Sequence, residues 1–290
     1  MKNFFKSIGK ASVYFLVYFV TQFVISFVYI IGIVSKLMLE NTQYGQTEAD
    51  VVAITEQATM MLMENLMAVT FWSGVLALVI YWIRFAVRKK SFLKEVELKK
   101  VPVKNLLPVI ILAPCANVVL SMAMSYFPWP QGWMEAYMEN SSIIDGSLMS
   151  WLTAVVMAPL LEEIVFRGLV YTRLKKGMPA IAAAIVASLA FGLCHSGIIW
   201  VIYATALGLV MTWIFEKYQS LVANILFHLF FNLMGQILSM IPENMEIVVW
   251  ILAVAGVVGI VYGVKQMKKV TVVETPVIES VEEIPAEICE

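Results

Sequence analysis

Ionisable and amide side chains occur inside strongly apolar stretches in the second half of the chain. The run APLLEEIVFRGLV, residues 158–170, holds Glu162, Glu163 and Arg167 among residues that are otherwise suited to a membrane. The only two histidines of the protein, His195 and His228, lie in later apolar stretches. An ionisable residue inside a bilayer costs at least about 2 to 3 kcal/mol, so it normally faces a protein interior or a water-filled cavity. These residues are therefore the first candidates for a functional site.

The spacing of these residues places several of them on common helix faces, because helical residues four apart are neighbours. Glu163 and Arg167 have this spacing, with the acid on the N-terminal side, which is the favourable order for an ion pair. Asn224, His228 and Asn232 follow one another at the same interval and form one polar stripe. The spacing thus predicts an ion pair on one helix and a row of hydrogen-bonding groups on another.

This set of side chains suits the hydrolysis of a carbonyl compound. Glu162 lies about 100° round the helix from Glu163, so its side chain is free to point elsewhere. A carboxylate held away from bulk water becomes a better general base towards water, and His195, which shares a helix face with Phe191, could hold the same water. His228 and the amide of Asn232 could donate hydrogen bonds to the oxyanion that forms during attack. The four side chains can act together only if the three helices that carry them pack against one another.

Structural interpretations of the same residues stay open. The Glu163–Arg167 pair alone could fix helix positions, and Asn224 is typical of a residue that joins two membrane helices by a hydrogen bond. A single membrane histidine is often an interhelical hydrogen-bond donor. Cys194 precedes His195 directly, but adjacent helical side chains point about 100° apart, so the two do not form a catalytic dyad.

The composition indicates an integral membrane protein. Of the 290 residues, 61% are hydrophobic and 14% are charged, and the mean hydropathy is +0.83. A soluble domain needs more polar residues to cover its surface. The net charge of −1 gives no sign of a nucleic-acid partner, and the unpaired spacing of Cys115, Cys194 and Cys289 supports neither a disulfide framework nor a zinc finger.

The apolar stretches predict an all-α, polytopic membrane protein of about eight transmembrane helices. A spanning helix needs about 20 mostly apolar residues. The fifth and sixth candidates are separated only around Ser196 and Gly197, so the count is seven or eight. The candidate spans are 13–34, 66–84, 105–127, 148–170, 180–197, 198–215, 220–240 and 246–264.

A fifth helix over 180–197 raises a difficulty of depth. At 1.5 Å per residue, His195 would lie about 24 Å from the end of its span, whereas Glu162 would lie about 15 Å from the same side. Either the fifth helix begins inside the protein or its predicted boundary is wrong.

The basic residues predict the orientation. Segment 84–104 carries eight lysines and arginines, whereas segments 35–65 and 127–147 carry one between them. Because basic loops stay in the cytoplasm, we expect both termini to be cytoplasmic in a multi-pass protein of the plasma membrane. The last twenty residues hold six glutamates and no basic residue, so we expect residues 265–290 to include a disordered acidic tail.

Three motifs occur in order along the chain: E-E-x-x-x-R at 162–167, F-x-x-x-H at 191–195 and H-x-x-x-N at 228–232. Together they resemble the motifs of the CPBP intramembrane proteases. That family includes the type II CAAX prenyl endopeptidases, bacteriocin-processing and self-immunity proteins, and proteins similar to lysostaphin resistance protein A. Each motif alone is weak, but the three together in a multi-spanning chain are specific.

The resemblance implies a helical protease that cleaves a peptide bond of a membrane-associated protein or peptide, such as a prenylated protein or a leader peptide. It matches Glu162 to the glutamate that activates water, His195 to its partner, and His228 with Asn232 to the oxyanion side. The supporting positions that it implies are Glu163, Arg167 and Phe191. It also divides the chain into an N-terminal membrane region of three spans with no named motif, 1–147, a catalytic core, 148–264, and the cytoplasmic tail, 265–290.

Dependence on a metal is open at the level of sequence. Members of the resembled family were first described as metalloproteases and later as glutamic proteases. The chain contains no H-E-x-x-H, which disfavours a zincin. Glu162, His195 and His228 could still hold zinc with an open position. We expect catalysis without a cofactor, with zinc as the alternative.

Two other classes of function fit the same polar cluster. A transporter could use the glutamates and histidines as a proton relay, although we find no internal inverted repeat of the kind that many transporters have. A non-catalytic immunity or regulatory protein could use the cluster to bind a partner. The presence of all three motifs favours the enzyme.

Overall fold

The computed structural model describes residues 2–40, 47–144 and 146–270, and these residues form helices with no strand among them. Helix α7 is composite, with π-helical stretches at Leu152–Met157 and Glu163–Tyr171. A short 3₁₀ helix, Glu243–Met245, precedes the last helix. The helices are α1 Lys2–Glu40, α2 Glu48–Glu64, α3 Leu66–Val87, α4 Phe92–Glu95, α5 Val103–Tyr126, α6 Gln131–Ser142, α7 Leu148–Leu174, α8 Ala180–Gly192, α9 Ile198–Tyr218, α10 Leu221–Ser239 and α11 Glu246–Lys269.

Seven of the described helices, namely α1, α3, α5, α7, α9, α10 and α11, are long and apolar enough to cross a membrane. The eighth apolar helix, α8, has 13 residues. At 1.5 Å per residue α8 is about 20 Å long, which is shorter than a hydrocarbon core of about 30 Å. The predicted all-α, polytopic architecture is confirmed.

The predicted fifth span, 180–197, is wrong at its C-terminal end. Helix α8 stops at Gly192, and residues 193–197 form a turn in which the amide of His195 donates to the carbonyl of Gly192 at 3.0 Å. Gly197 has a φ of +86°, which L-residues rarely adopt, so the helix cannot continue through it. His195 therefore lies in a turn after the helix, so the depth of about 24 Å expected for it from a continuous helix does not apply.

Three of the described helices outside the spans, α2, α4 and α6, were not predicted. Helix α2 begins with a capping box. The Thr47 hydroxyl accepts a hydrogen bond from the backbone amide of Asp50, and the Asp50 carboxylate accepts one from the backbone amide of Thr47. It folds back on the end of α1 through a small cluster of four buried residues: Ile33, Leu37, Ile54 and Ala58. The composition of α2 is mixed, so a search for long apolar spans does not detect this helix. Its apolar residues serve the local contact with α1.

Helix α7 lies at the centre of the bundle. Every residue from Glu163 to Tyr171 is buried, and α1, α3, α8 and α10 all pack against α7. The outermost helices α1 and α11 bury little of their length, and apolar side chains such as Phe23 and Val258 are about 70% and 67% exposed. An exposed apolar surface of this kind is suited to lipid.

The connection between α3 and α5 holds the ends of α7 and α10 in place. The Ser220 hydroxyl, which caps α10, donates to the carbonyl of Lys99 at 2.6 Å. The amide of Leu221 donates to the carbonyl of Glu97 at 3.0 Å. The absence of a side chain on Gly168 lets α7 approach Val96, whose carbonyl lies 3.0 Å from the position that a Cβ would take.

The C-terminal tail falls largely outside the described residues. Helix α11 ends at Lys269, and residues 271–290, with Cys289, are not among those that the structure describes. The expectation of a disordered acidic tail therefore stays a prediction.

The contact of α8 with α9 depends on Gly208. A Cβ at this position would lie 2.9 Å from the Ser188 Cβ and 3.1 Å from its Cα, so the two helices would have to separate. We predict that Gly208→Ala lowers the stability by about 1 to 3 kcal/mol, as overpacking typically does. The midpoint of thermal unfolding in detergent micelles measures this.

Gly32→Ala is the matched control, because nothing lies within 4 Å of a Cβ built on Gly32. We expect this variant to unfold at the temperature of the wild type or slightly above it, since alanine favours a helix over glycine. Equal midpoints for Gly208→Ala and the wild type would contradict the close approach of α8 and α9.

Candidate active site

The two adjacent glutamates of α7 lie where the helix changes its winding. Glu162 is the last residue of the α-helical stretch Ala158–Glu162, and Glu163 is the first residue of the second π-helical stretch. π-Helical turns are rare and are frequent at functional sites. The two carboxylates diverge as the spacing predicts, since Glu163 is fully buried whereas the Glu162 side chain is 14% exposed and lines a cavity.

Glu163 and Arg167 form a buried ion pair. Arg167 Nη1 lies 2.7 Å from Glu163 Oε1, and the two side chains are 1% and 0% exposed. Arg167 also donates from Nη2 to the carbonyl of Gly208 at 3.1 Å, and its guanidinium lies 4.6 Å from the centre of the Phe191 ring. The arginine thus fastens α7 to α8 and α9.

The same carboxylate accepts hydrogen bonds from α10. His228 Nδ1 lies 3.0 Å from Glu163 Oε1, and the Asn224 amide donates to Glu163 Oε2 at 3.1 Å. Asn224 donates in addition to the carbonyl of Met211 at 2.7 Å, so the expected helix-joining role matches its contacts. Glu163 is therefore the acceptor at which side chains of α7 and α10 meet.

This contact fixes the orientation of His228. An ionised carboxylate only accepts hydrogen bonds, so the proton of the Nδ1···Oε1 contact belongs to the imidazole. The other ring nitrogen, Nε2, then faces Glu162, with 3.7 Å between Nε2 and Glu162 Oε2. His228 thus lies between the buried carboxylate of Glu163, which it contacts at hydrogen-bond distance, and the partly exposed carboxylate of Glu162.

His195 lies in the turn after α8. Its Nδ1 lies 3.0 Å from the carbonyl of Phe191, which leaves Nε2 for another partner. The ring of Phe191 contacts both imidazoles, with its centre 5.0 Å from that of His195 and 6.0 Å from that of His228. The ring of Trp200 stacks on the outer side of His195 at 6.2 Å. Aromatic contacts therefore hold His195 after its helix has ended.

Asn232 is held by the first π-helical stretch. Its amide donates to the carbonyl of Ala154 at 2.8 Å. Thr153, next to Ala154, donates to the carbonyl of Met67 at 3.0 Å and so connects the same stretch to α3. The winding of α7 thus supports Asn232 as well as the glutamates.

One cavity of about 440 Å³ brings together most of the residues that the sequence singled out. Its wall includes Glu162, His195, His228, Asn232 and Phe191. Glu163 and Arg167 are not part of the wall. They contact two of its residues instead, Glu163 with His228 and Arg167 with Phe191. Within the described part of the chain, no direct hydrogen bond joins Glu162 to His195, and both face the same space.

Sequence reasoning missed the wall that α5 contributes. Asn117 and Ser121 line the cavity, and the Ser121 hydroxyl lies 3.5 Å from Asn117 Oδ1. Polar residues four apart in an apolar span were the available signal. Tyr137 of α6 also lines the cavity, and burial raises the pKa of its hydroxyl although a hydrogen bond with Ser141 partly lowers it, so Tyr137 stays neutral.

The three side chains expected for a zinc site do not form a ligand set. Among residues 2–40, 47–144 and 146–270, no group of three His, Cys, Asp or Glu side chains is arranged so as to hold a metal ion. The expectation of catalysis without a cofactor stays a prediction.

Comparison with known proteins bears on this region. Residues 144–234 match the family model described as "Type II CAAX prenyl endopeptidase Rce1-like". No curated protein and no solved structure matches the chain. The match covers about a third of the sequence, includes all three motifs, and confirms the resemblance to the CPBP family. It supports a CAAX-type intramembrane protease as the general class.

The burial of Glu163 generates a prediction about stability. In Glu163→Gln the buried guanidinium of Arg167 would lose its counter-charge, and breaking a buried ion pair typically costs about 3 to 5 kcal/mol. We expect a marked fall in the midpoint of thermal unfolding and in the yield of folded protein. Scanning fluorimetry in detergent measures the first effect.

The same substitution at an exposed pair serves as the control. Lys36 and Glu40 also have the i, i+4 spacing, but 3.8 Å separates them and both side chains are largely exposed. We expect Glu40→Gln to unfold with the wild type, because exposed pairs contribute little. If Glu163→Gln behaved like Glu40→Gln, the Glu163 network would not be structural.

Proposed function

We propose that this protein is an intramembrane endopeptidase that hydrolyses a peptide bond of a membrane-associated protein or peptide by means of a water molecule activated by Glu162. The observation that carries the proposal is the single cavity onto which Glu162, His195, His228 and Asn232 all open. Prenylated proteins and leader-type peptides are the two substrate classes to test. The family match to residues 144–234 supports the same class of reaction.

In the proposed mechanism, Glu162 acts as the general base. Its carboxylate takes a proton from a water molecule while the water oxygen attacks the carbonyl carbon of the substrate. His195 orients this water from the other side through the ring nitrogen that the Phe191 carbonyl does not occupy. The proton held by Glu162 then passes to the leaving nitrogen as the carbon–nitrogen bond breaks.

The oxyanion formed by the attack needs hydrogen-bond donors. Asn232 has a second amide hydrogen besides the one that binds the Ala154 carbonyl. His228 supplies a donor from Nε2 when both of its ring nitrogens carry protons, with the Glu163 carboxylate 3.0 Å from Nδ1 and the Glu162 carboxylate 3.7 Å from Nε2. Donors fixed in advance around a developing charge are a major source of catalytic power.

Glu163, Arg167 and Phe191 are positioning residues in this proposal. Glu163 sets the orientation of the His228 ring, Arg167 holds Glu163, and the Phe191 ring packs against both imidazoles. Only Phe191 of these three lines the cavity.

The division of the chain into regions is part of the proposal. Residues 148–264 supply the four reacting groups, and the region 1–147 completes the cavity through Asn117, Ser121 and Tyr137. We infer that this N-terminal region takes part in substrate selection. The distribution of lysine and arginine supports cytoplasmic termini, and we propose the plasma membrane as the location.

Removal of the proposed base tests the function. We predict that Glu162→Gln lowers the rate of peptide cleavage by about 10²- to 10⁴-fold, the usual range for a general base. Its unfolding midpoint should stay close to that of the wild type, because Glu162 is not part of the buried ion pair. Suitable assays are cleavage of a prenylated reporter peptide and comparison of membrane-protein termini in cells with each variant.

Cys194→Ser is the control for this experiment, because its thiol donates to the carbonyl of Ala190 and takes no part in the proposed reaction. We expect cleavage by Cys194→Ser within twofold of the wild type. An unchanged rate in Glu162→Gln would end the enzyme hypothesis in this form, and loss of activity in Cys194→Ser would point to a different nucleophile.

Removal of metal ions tests the cofactor-free form of the mechanism. We predict that exhaustive chelation leaves the cleavage rate of the purified protein unchanged and that added zinc does not raise it. Loss of activity on chelation and recovery with zinc would contradict this form and would restore the metal alternative.

A further inference from the structure

A second, strongly basic cavity lies apart from the site with Glu162. It encloses about 310 Å³ and shares no wall residue with the larger cavity. Its wall comes from the start of α1, the end of α3, the connection that follows α3, and the end of α7. Seven of its wall residues are lysine or arginine, and one, Glu95, is acidic.

The single acid is already neutralised by two of the bases. Glu95 lies 2.6 Å from Lys90 and 2.6 Å from Arg173. Burial raises the pKa of Glu95, but the hydrogen bond from Lys90 and the charge of Arg173 outweigh this effect and hold the pKa below its ordinary value. Glu95 is thus ionised, and its charge is paired with Lys90 and Arg173.

Five basic wall residues remain without an acidic partner within ion-pair distance in the described part of the chain. They come from three segments that are distant in sequence, so the fold has gathered like charges that repel one another. The five residues are Lys6, Lys10, Arg84, Arg88 and Lys176.

Arg84 provides a second, independent sign of a missing partner. Its Nε is buried and has no hydrogen-bond partner among the residues that the structure describes. Its guanidinium lies 5.2 Å from the centre of the buried Tyr14 ring, which fixes its position but accepts no hydrogen bond at Nε. An unsatisfied buried donor is costly, so the wall of this cavity includes an arginine whose hydrogen bonds the described residues do not complete.

The position of the cavity identifies the anion that it would meet. Arg84 and Arg88 lie at the end of the span α3, and Lys176 follows the end of the span α7. The ends of spanning helices lie at the level of the lipid headgroups. Basic pockets between membrane helices at this level bind the headgroups of acidic lipids.

We propose that this cavity binds the phosphate of an acidic membrane phospholipid, with Arg84 and Arg88 as the central contacts and Lys6, Lys10 and Lys176 around them. A volume of about 310 Å³ is within the range of small-ligand sites, which begins at about 300 Å³. The proposal concerns lipid binding and does not rest on the proposed protease function.

A bound headgroup would connect the ends of three helices. Lys6 and Lys10 belong to α1, Arg84 belongs to α3, and Lys176 lies two residues after the end of α7, which carries Glu162 and Arg167. The lipid would replace repulsion among these segments by attraction to one shared anion. This cavity is therefore a point at which the acidic lipid content of the membrane could stabilise the fold.

The test is a titration of the purified full-length protein with phosphatidylglycerol, followed by native mass spectrometry. Phosphatidylcholine with the same acyl chains and an excess of inorganic phosphate form separate arms. The variants are Arg84→Gln with Arg88→Gln, and Lys6→Gln with Lys10→Gln, which change two different elements. The matched control is Lys100→Gln with Lys104→Gln, which removes the same charge from exposed residues outside the cavity wall.

We expect each cavity variant to bind phosphatidylglycerol on the order of tenfold more weakly than the wild type, because each basic residue near the headgroup contributes severalfold to affinity. The control variant should match the wild type, and neither phosphatidylcholine nor free phosphate should compete. An equal loss in the control, or no loss in either cavity variant, would overturn the proposal. Lys6 and Lys10 are exposed, so we expect the variant that replaces them to fold even if the variant that replaces Arg84 and Arg88 is unstable.

Two further outcomes would identify a different occupant and so overturn the lipid assignment. Displacement of phosphatidylglycerol by inorganic phosphate would identify free phosphate as the ligand. A large gain in phosphatidylglycerol affinity in a full-length variant with Glu279→Gln, Glu282→Gln and Glu283→Gln would show that the acidic C-terminal segment of the chain occupies the cavity.

Discussion

The arrangement of the candidate site depends on one buried carboxylate that serves several donors at once. Glu163 accepts from Arg167 at 2.7 Å, from His228 at 3.0 Å and from Asn224 at 3.1 Å, in a place closed to water. Arg167 extends the network to the carbonyl of Gly208, so α7, α9 and α10 meet through Glu163 and its partners. A buried charge is tolerated only when its partners satisfy it, so displacement of one helix would leave the others with unpaired groups.

The two adjacent glutamates have different surroundings and, in the proposed reaction, different roles. Glu163 is fully enclosed and orients His228, whereas Glu162 keeps partial access to the cavity and lies 3.7 Å from the other nitrogen of the same ring. The change from α- to π-helical winding between the two residues accompanies this difference. The proposed reaction uses the accessible carboxylate and leaves the enclosed one to hold the geometry.

Many of the helices and several contacts of the candidate site could be predicted from the sequence. The features that the sequence did not predict have physical causes. The spans agree with the helices within a few residues wherever a long apolar run has clear ends, as for 66–84 against Leu66–Val87. The end of α8 at Gly192 was missed because hydropathy continues through Leu193 and Cys194, whereas the turn that follows, with the positive φ of Gly197 before α9, is a property of the backbone. The pairing of Glu163 with Arg167 followed from their spacing, but its contact with His228 joins residues 65 positions apart. The π-helical winding of α7 and the wall formed by Asn117 and Ser121 depend on how helices pack, which periodicity along one helix does not contain.

The central claim is that Glu162 and His195 hold one water molecule between them in the cavity. A crystal structure grown from a lipid phase, at a resolution that reveals ordered water, tests this claim most directly. The account predicts one water within hydrogen-bond distance of both the Glu162 carboxylate and the His195 ring, with His228 Nε2 beside it. Side chains turned apart, with a gap wider than one water between Glu162 and His195, would contradict it.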